Sequence, residues 1–404
     1  VDITAYEVLS NRQKVASFRA PCVPQIVFGV EGVVDEMARK IEMDPIDFRL
    51  KNACEDGHTT IYGDTWGPIG FIETLKQAKE TDHYKTPVKE GEGRGISTGF
   101  WFNRGGETAA SLNLAPDGTV TIATGTADVA GSRISISMMA AEELGIPVDQ
   151  VRVKMVDTNS LGFNRVTAGS RTTFSVGMVI VDSARKCIAE LRRRAAEIWD
   201  VPEDGVIFEE GMVRPASANV GDFEPMSIAD ICKKTTMSHG AISGHTEMNV
   251  TGAGPGFAVN IVDVKVDEKT GRTDVTRYTV VQDVGKAIHP DQVVGQIQGG
   301  AIQGVGWALN EEYIYGEDGR LQNSGFLDYR IPVSSDLPMI ETVILEIPNP
   351  GHPYGVRGVG ETPIVPPLAA INNAVSRATK VRFSELPLSP PKVLSAIKKK
   401  LNNG

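Results

Sequence analysis

The chain has 404 residues, 41 basic and 51 acidic, for a formal charge of −10 at pH 7, and that balance argues against a general nucleic-acid binder, whose footprint is basic. Hydrophobic residues make up 41% and charged residues 23%, enough to bury a sizeable core and too apolar for a disordered chain. At about 100–200 residues per domain the length implies two or three domains, no run approaches the ~18 uninterrupted apolar residues of a membrane span, and none resembles a signal peptide.

The first twenty residues read as extended, with a loop at Ser10-Asn11-Arg12. From residue 28 to 41, Val30, Val33, Val34, Met37, Ala38 and Ile41 recur at helical spacing. Asp44-Pro45-Ile46-Asp47 has the form of a helix start, with Asp44 as N-cap and Pro45 at the first helical position. A polar stretch from 52 to about 92 holds one short helix near 71–78, and the domain boundary is expected near 92, dividing the chain into 1–92 and 93–404. Residues 119–124 and 151–156 alternate as strands around a helix at about 135–144. A helix over 179–199 carries Ala184, Ile188, Leu191, Ala195 and Ile198 on one face. Strands at 259–266 and 275–281, joined through Glu268-Lys269-Thr270-Gly271, form a hairpin signal. A strand at 340–347 and a helix at 368–378 follow. The fold class expected is α+β, with mixed β-sheets and packed helices, and no repeat suggests a solenoid.

Cys22, Cys54, Cys187 and Cys232 form no CxxC pair, which disfavours a structural zinc site or an iron–sulfur cluster held by this chain alone. A reducing cytoplasm is the expected compartment. The start at Val1, inside strand-like sequence, reads as a piece of a longer polypeptide or a processed subunit. Glycine is abundant, at 42 of 404, and clustered. The clusters are 124–131, 167–173, 295–300 and 355–361, each expected where a strand ends or a helix begins. Exposed backbone N–H groups at such places suit an anion, and glycine lets the backbone approach a large ligand. Four such segments in an acidic protein favour a bulky polyanionic cofactor over mere tight packing. Neither a GxGxxG nor a GxxxxGK[ST] stands in the chain, which sets aside Rossmann and P-loop enzymes. Glu361 follows Gly358-Val359-Gly360 and precedes a stiff Thr362-Pro363-Ile364-Val365-Pro366-Pro367 run. It can be read as a general base or as a glutamate complementing a helix N-terminus.

Taken in order, these segments resemble the molybdenum hydroxylases, the xanthine dehydrogenase/aldehyde oxidase family. Ala16-Ser17-Phe18-Arg19-Ala20-Pro21 and the stretch from Glu31 to Asn52 resemble the family's FRGxG/YRAPG loop and its helical sequel. Gln282-Asp283-Val284-Gly285 through Gly295-Gln296 to Gly304-Val305-Gly306 resembles its DxGxxxNP and GQxxGG segment, with His289 for the usual Asn. Gly358-Val359-Gly360-Glu361 resembles its GxGE loop, and Glu385-Leu386-Pro387-Leu388 its ELPLTP, with Ser389 for Thr.

The resemblance implies molybdopterin-binding domains, the first contributing only its C-terminal part in 1–92 and the second filling 93–404. It implies molybdenum held by a molybdopterin dithiolene, in the cytosine dinucleotide form, with no side chain as a direct metal ligand. Carried over by position, Phe18 and Arg19 lie beside the molybdenum. Asp128, Val129 and Ala130, with Ala168, Gly169, Ser170, Arg171 and Thr172, wrap pterin and pyrophosphate. Gln296 reaches toward the metal, Gly358 belongs to the cofactor cradle, and Glu361 is the base. Pro21, Thr98 and Gly99 form the expected substrate pocket. Pro21 and Thr98 fall where purine-oxidising members place two phenylalanines, which argues against xanthine. Ala20 stands where the carbon monoxide branch has a cysteine, which argues against carbon monoxide. The implied reaction is hydroxylation of an electron-poor carbon of an N-heterocycle or aldehyde, with water as the oxygen source. Electrons would pass to [2Fe–2S] and FAD on partner chains, and another chain would supply the N-terminal half of the molybdenum subunit. The contrasting readings are a non-catalytic structural subunit with a degenerate site and a stand-alone anion-binding module.

Overall fold

A computed structural model describes residues 4, 6–61, 63–129 and 131–403. The described residues before 23 belong to no helix or strand. In chain order there follow helices α1 (Val23–Lys40), α2 (Pro45–Lys51), α3 (Phe71–Glu80) and α4 (Asp82–Lys85), then strands β1 (Glu92–Trp101), β2 (Gly106–Leu114) and β3 (Val120–Thr124). Next come α5 (Ser132–Leu144), β4 (Val151–Met155), α6 (Thr158–Leu161), α7 (Thr172–Trp199), and short strands β5 (Val206–Glu209), β6 (Met212–Pro215) and β7 (Met226–Ser227). The last are α8 (Ile228–His239), β8 (Ile242–Val250), β9 (Gly256–Val266), β10 (Thr273–Asp283), α9 (Pro290–Leu309), β11 (Ile340–Leu345), α10 (Pro367–Thr379) and α11 (Pro390–Asn403).

The expected hairpin is present: β9 and β10 pair antiparallel, and Asp267 accepts from the Lys269 N–H (2.8 Å) and the Thr270 hydroxyl (2.9 Å) to close the turn. With β1 and β11 they form a sheet of order β1-β9-β10-β11, in which β11 runs parallel to β10. A second sheet has order β4-β3-β2-β8, with β3 and β4 parallel around α5. A small sheet, β5-β6-β7, adjoins it. The second sheet buries Leu112, Ile122 and Ile242 against Val179, Ile180 and Leu191 of α7. The first sheet is covered on both faces: Val262, Val280 and Tyr278 meet α9 and α10, while Ile96, Val259 and Val281 meet α2 and α3.

Several elements depart from the sequence reading. Helix α7 begins seven residues before the expected start at 179, because Phe174 and Val176 already turn into the core. β1, β2 and β8 carry too much glycine and polar sequence to show a strand period. On β1 the glycines have a packing purpose: a Cβ at Gly93 or Gly95 would overlap the backbone of α10 at Ala374 or Ala370, and one at Gly99 would press on Val365 at 2.5 Å. The cluster at 295–300 is no bend; it lies inside α9, where Gly300 admits Pro363 (2.5 Å from a Cβ) and Gly304 admits Pro367.

Helix α1 forms as expected, starting earlier at Val23; of its expected apolar stripe Ala38 is buried and Val34 half-buried, while the rest points outward. Ile26, Val30, Val33, Met37 and Ile41 are 43–60% exposed. Its inner face instead carries Glu31 and Asp35. Glu31 accepts from Arg49 Nε (3.0 Å), from the Thr98 N–H (3.0 Å) and from the Thr98 hydroxyl (2.7 Å). Asp35 accepts from Arg377 (2.7 Å), and the space a Cβ would take at Gly32 holds the Arg382 guanidinium.

Candidate functional site

A cavity of about 400 Å³ is lined by 167–173, by 356–361, by parts of 286–296, and by Arg19, Val129, Ser132 and Ser135. The N-terminal turns of three helices reach it: Ser132 and Ser135 of α5, Thr172 and Thr173 of α7, and Gln292 and Val293 of α9. Each such turn presents backbone N–H groups without helical partners and the positive end of a helix dipole. His289 starts α9 as its N-cap, its Nδ1 accepting from the Gln292 N–H (3.4 Å). An Asn would do the same there.

Glu361 faces this cavity from just before the 3-10 turn Thr362–Ile364. Its Oε1 accepts from the Gly169 N–H (3.0 Å) and its Oε2 from the Ala20 N–H, while its own N–H donates to Ser170 Oγ (2.8 Å). Two segments far apart in sequence, at 20 and 169, thus hold one carboxylate. Ala20 (φ 52°) and Ser170 (φ 60°) both lie in the left-handed region, a costly conformation for residues with a Cβ. Arg19 donates to the Gly360 carbonyl through Nε and to the Gln296 carbonyl (2.9 Å) and Oε1 (3.3 Å) through Nη2. Burial pulls its pKa down to about 10, against the opposing pull of Glu361, and it stays a cation at neutral pH.

At the cavity wall two buried arginines brace the loops. Arg171 donates to the carbonyls of Gly105 (2.9 Å), Arg165 (2.9 Å) and Glu107 (2.9 Å) and to the Thr108 hydroxyl. Arg357 donates to the carbonyls of Ile347 (3.1 Å), Pro255 (3.1 Å) and Pro68 (2.6 Å) and lies 3.2 Å from Asp283. Burial raises the Asp283 pKa despite the neighbouring cation; desolvation outweighs the attraction in so dry a place.

Of the residues singled out in the sequence, Arg19, Val129, Ala168, Gly169, Ser170, Arg171, Thr172, Gln296, Gly358 and Glu361 line this one cavity. Others go elsewhere. Phe18 stacks on Trp307 with ring centroids 5.2 Å apart. Asp128 accepts from Ser132 Oγ (3.1 Å) and the Arg133 N–H (3.2 Å), so its carboxylate serves the start of α5. Ala130 lies outside the described residues. Pro21, Thr98 and Gly99 do not line the cavity. Thr98 is spent on Glu31, and Gly99 makes room for Val365. Within the segment expected to wrap pterin and pyrophosphate, the Arg171 side chain has its donors on carbonyls and the Thr108 hydroxyl of its own chain. The sequence reading missed Ser132, Ser135, Lys286 and Gln292, and gave His289 no place at the site. The His289-Pro290 pair was the available signal, since a capping residue followed by proline at the first position marks a helix start.

A family model described as a molybdopterin cofactor-binding domain matches residues 72–338, and a second of the same description matches residues 1–53. The putative xanthine dehydrogenase molybdenum-binding subunit of Escherichia coli (strain K12) is 30% identical over 409 residues, covering 95% of this chain and 54% of that protein. The aldehyde oxidoreductase of Desulfovibrio gigas superposes with a TM-score of 0.77 at 25% identity, covering 95% of this chain and 42% of that one. CO dehydrogenase from Oligotropha carboxidovorans gives 0.85 at 22% identity over 95% and 52% of the two chains, a likeness of fold alone. The chain spans about half the length of the curated relatives it matches. It belongs to the family of molybdopterin cofactor-binding domains carried by the molybdenum-binding subunits of xanthine dehydrogenases and aldehyde oxidoreductases.

Proposed function

We propose that this chain is the molybdopterin-holding catalytic portion of a multi-subunit hydroxylase acting on an electron-poor carbon of an N-heterocycle or an aldehyde. Residues 1–92 would be the C-terminal part of a first cofactor-binding domain and 93–404 the second. The observation that carries this reading is the convergence of three helix N-termini and one carboxylate on a single cavity.

The residues present suit the group. N-terminal turns of α5, α7 and α9 and the Arg19 cation favour a polyanion. At Gly360 a Cβ would sit in ordinary contact with Gln296 Oε1 and Ser170 Oγ, 3.5 Å from each. A second cavity of about 810 Å³ shares Lys286 and Ile288 with the first and offers room for a nucleotide extension of the cofactor, which we take to be the cytosine dinucleotide form. When bound, the cofactor supplies two-electron oxidation at molybdenum, with water as the oxygen source. The chain's own residues position and accept protons. Ser170, Gly169 and Ala20 fix Glu361 in one orientation. Each carboxylate oxygen takes one N–H and keeps lone-pair capacity to receive a proton from the reaction centre. Arg19 ties Gln296 to the Gly360 carbonyl, holding α9 and the Glu361 loop in register. Electrons would leave to [2Fe–2S] and FAD partners, and a partner chain would supply the remainder of the molybdenum subunit. Four free cysteines support a cytoplasmic compartment; among the described residues no helix is long and apolar enough to cross a membrane.

Glu361→Gln tests the proposal. The amide cannot take a proton, so turnover should fall by about 10²–10⁴-fold, while molybdenum content by metal analysis is unchanged. Retained turnover would refute the base.

A further inference from the structure

We infer that the outer face of α1, together with the extended segment 6–18 that leads into it, is a docking surface for a folded domain corresponding to the part of the relatives' length that this chain does not span. The inference rests on the reading above, that a further portion of a molybdenum subunit completes this one.

At 100° per residue Ile26, Val30, Val33, Met37 and Ile41 fall within about 80° of arc, all of them exposed. Opposite them Glu31 and Asp35 are buried and held by Arg49 and Arg377. A surface helix ordinarily does the reverse, with apolar residues inward and charges in water. Rotating α1 to hide the stripe would break both ion pairs and expel the Arg382 guanidinium from the space at Gly32. The orientation is therefore set from within, and the apolar face is left for something outside. Exposed apolar stripes of this kind mark interaction sites.

Segment 6–18 adds an independent sign. Tyr6, Val8, Leu9 and Val15 are largely exposed, and among the described residues no backbone hydrogen bond joins 6–18 to the rest of the chain. Within the segment the Arg12 N–H donates to Ser10 Oγ (3.3 Å) and the Arg12 guanidinium lies over the Tyr315 ring; backbone that belongs to no sheet is suited to adding a strand to a sheet edge. The occupant must then offer both a sheet edge and an apolar groove, as a folded domain does. A second copy of this chain is disfavoured, because it would bring another charge of −10 against the first. The relatives carry about as much chain again beyond what this one covers, which supplies a domain of the required size. Segment 6–18 runs directly into Arg19 at the cavity wall, so a domain seated here would also close the cavity's rim.

The test is a photo-crosslinking amino acid at position 33 in the complex isolated from its own cells, with the same probe at the hairpin turn residue Glu268 as control. Cross-linked peptides from position 33 should come from sequence aligning with the uncovered part of the relatives, and position 268 should give none. Cross-links to α1 of a second copy, or a position 33 that meets only solvent, overturn the inference. A second measurement uses Val30→Asp/Val33→Asp: the thermal midpoint of the chain alone should hold, while recovery of the assembled complex falls about tenfold, since the interface would bury unpaired charge. Unchanged recovery counts against docking here. Molybdenum content and turnover of the same preparation report separately on the functional reading. A loaded, active complex with a solvent-facing position 33 overturns only the docking surface, whereas a complex without molybdenum overturns the function.

Discussion

Helices α7 and α1 each lie against a sheet, and they bury opposite kinds of side chain. α7 turns Phe174, Val176, Val179, Ile180 and Leu191 inward, and Gly177 leaves room for Met139 and the His352 ring, 3.0 Å from where a Cβ would stand. Apart from Ser175, Ser183 and Arg194, the last paired with Glu190 at 2.7 Å, this is an apolar seam. α1 turns paired charges inward beside Pro24, Val27 and Ala38, and turns the apolar stripe Ile26, Val30, Val33 and Met37 out. Helical spacing is equally plain in both sequences. Periodicity thus identifies an apolar face and leaves open which body that face meets.

The sharpest way to break the contrast is on the ionic side of α1. Glu31→Ala leaves Arg49 buried with its carboxylate partner gone, and should cost about 3–5 kcal/mol in urea unfolding; a loss under about 1 kcal/mol would mean water already screens the pair. On the α7 side Leu191→Ala empties a fully buried position and should cost about 2–5 kcal/mol. The third test is acid. Burial keeps His352 neutral and pushes its pKa from 6.5 down to about 4. Between those values the unfolded chain binds more protons than the folded one. The contribution is therefore complete above about pH 6.5, shrinks as pH falls, and is lost below about pH 4, up to about 3 kcal/mol in all. His352→Asn should flatten the stability–pH slope in that window, and an unaltered slope would show that other groups set it. The smallest effect belongs to the outward stripe: Val33→Ser in the chain alone should shift stability by no more than about 0.5 kcal/mol.

Much of the fold was legible. The Asp44 cap accepts from Ile46 and Asp47 N–H groups at 2.9 and 3.0 Å, the Asp267 turn closes its hairpin, and β3-α5-β4 follows the expected order, because each depends on local chemistry. β1, β2 and β8 were not legible, since their glycine and polar residues answer to α10, α7 and the loops beside them. At the site, the clusters 167–173 and 355–361 do meet around Glu361, and Gln296 reaches the same cavity from within a helix. Composition could not show which polar groups were already engaged. Arg171, Asp128 and Thr98 all have the right chemistry for a ligand, and all are occupied by their own chain.

The bare positions on β1 have a mechanical consequence for the acid. With hydrogens at Gly93 and Gly95, α10 settles directly on the strand, and α10 is the continuation of the turn that presents Glu361. A methyl group at either position would work as a shim under that helix, tilting the lever whose far end carries the carboxylate.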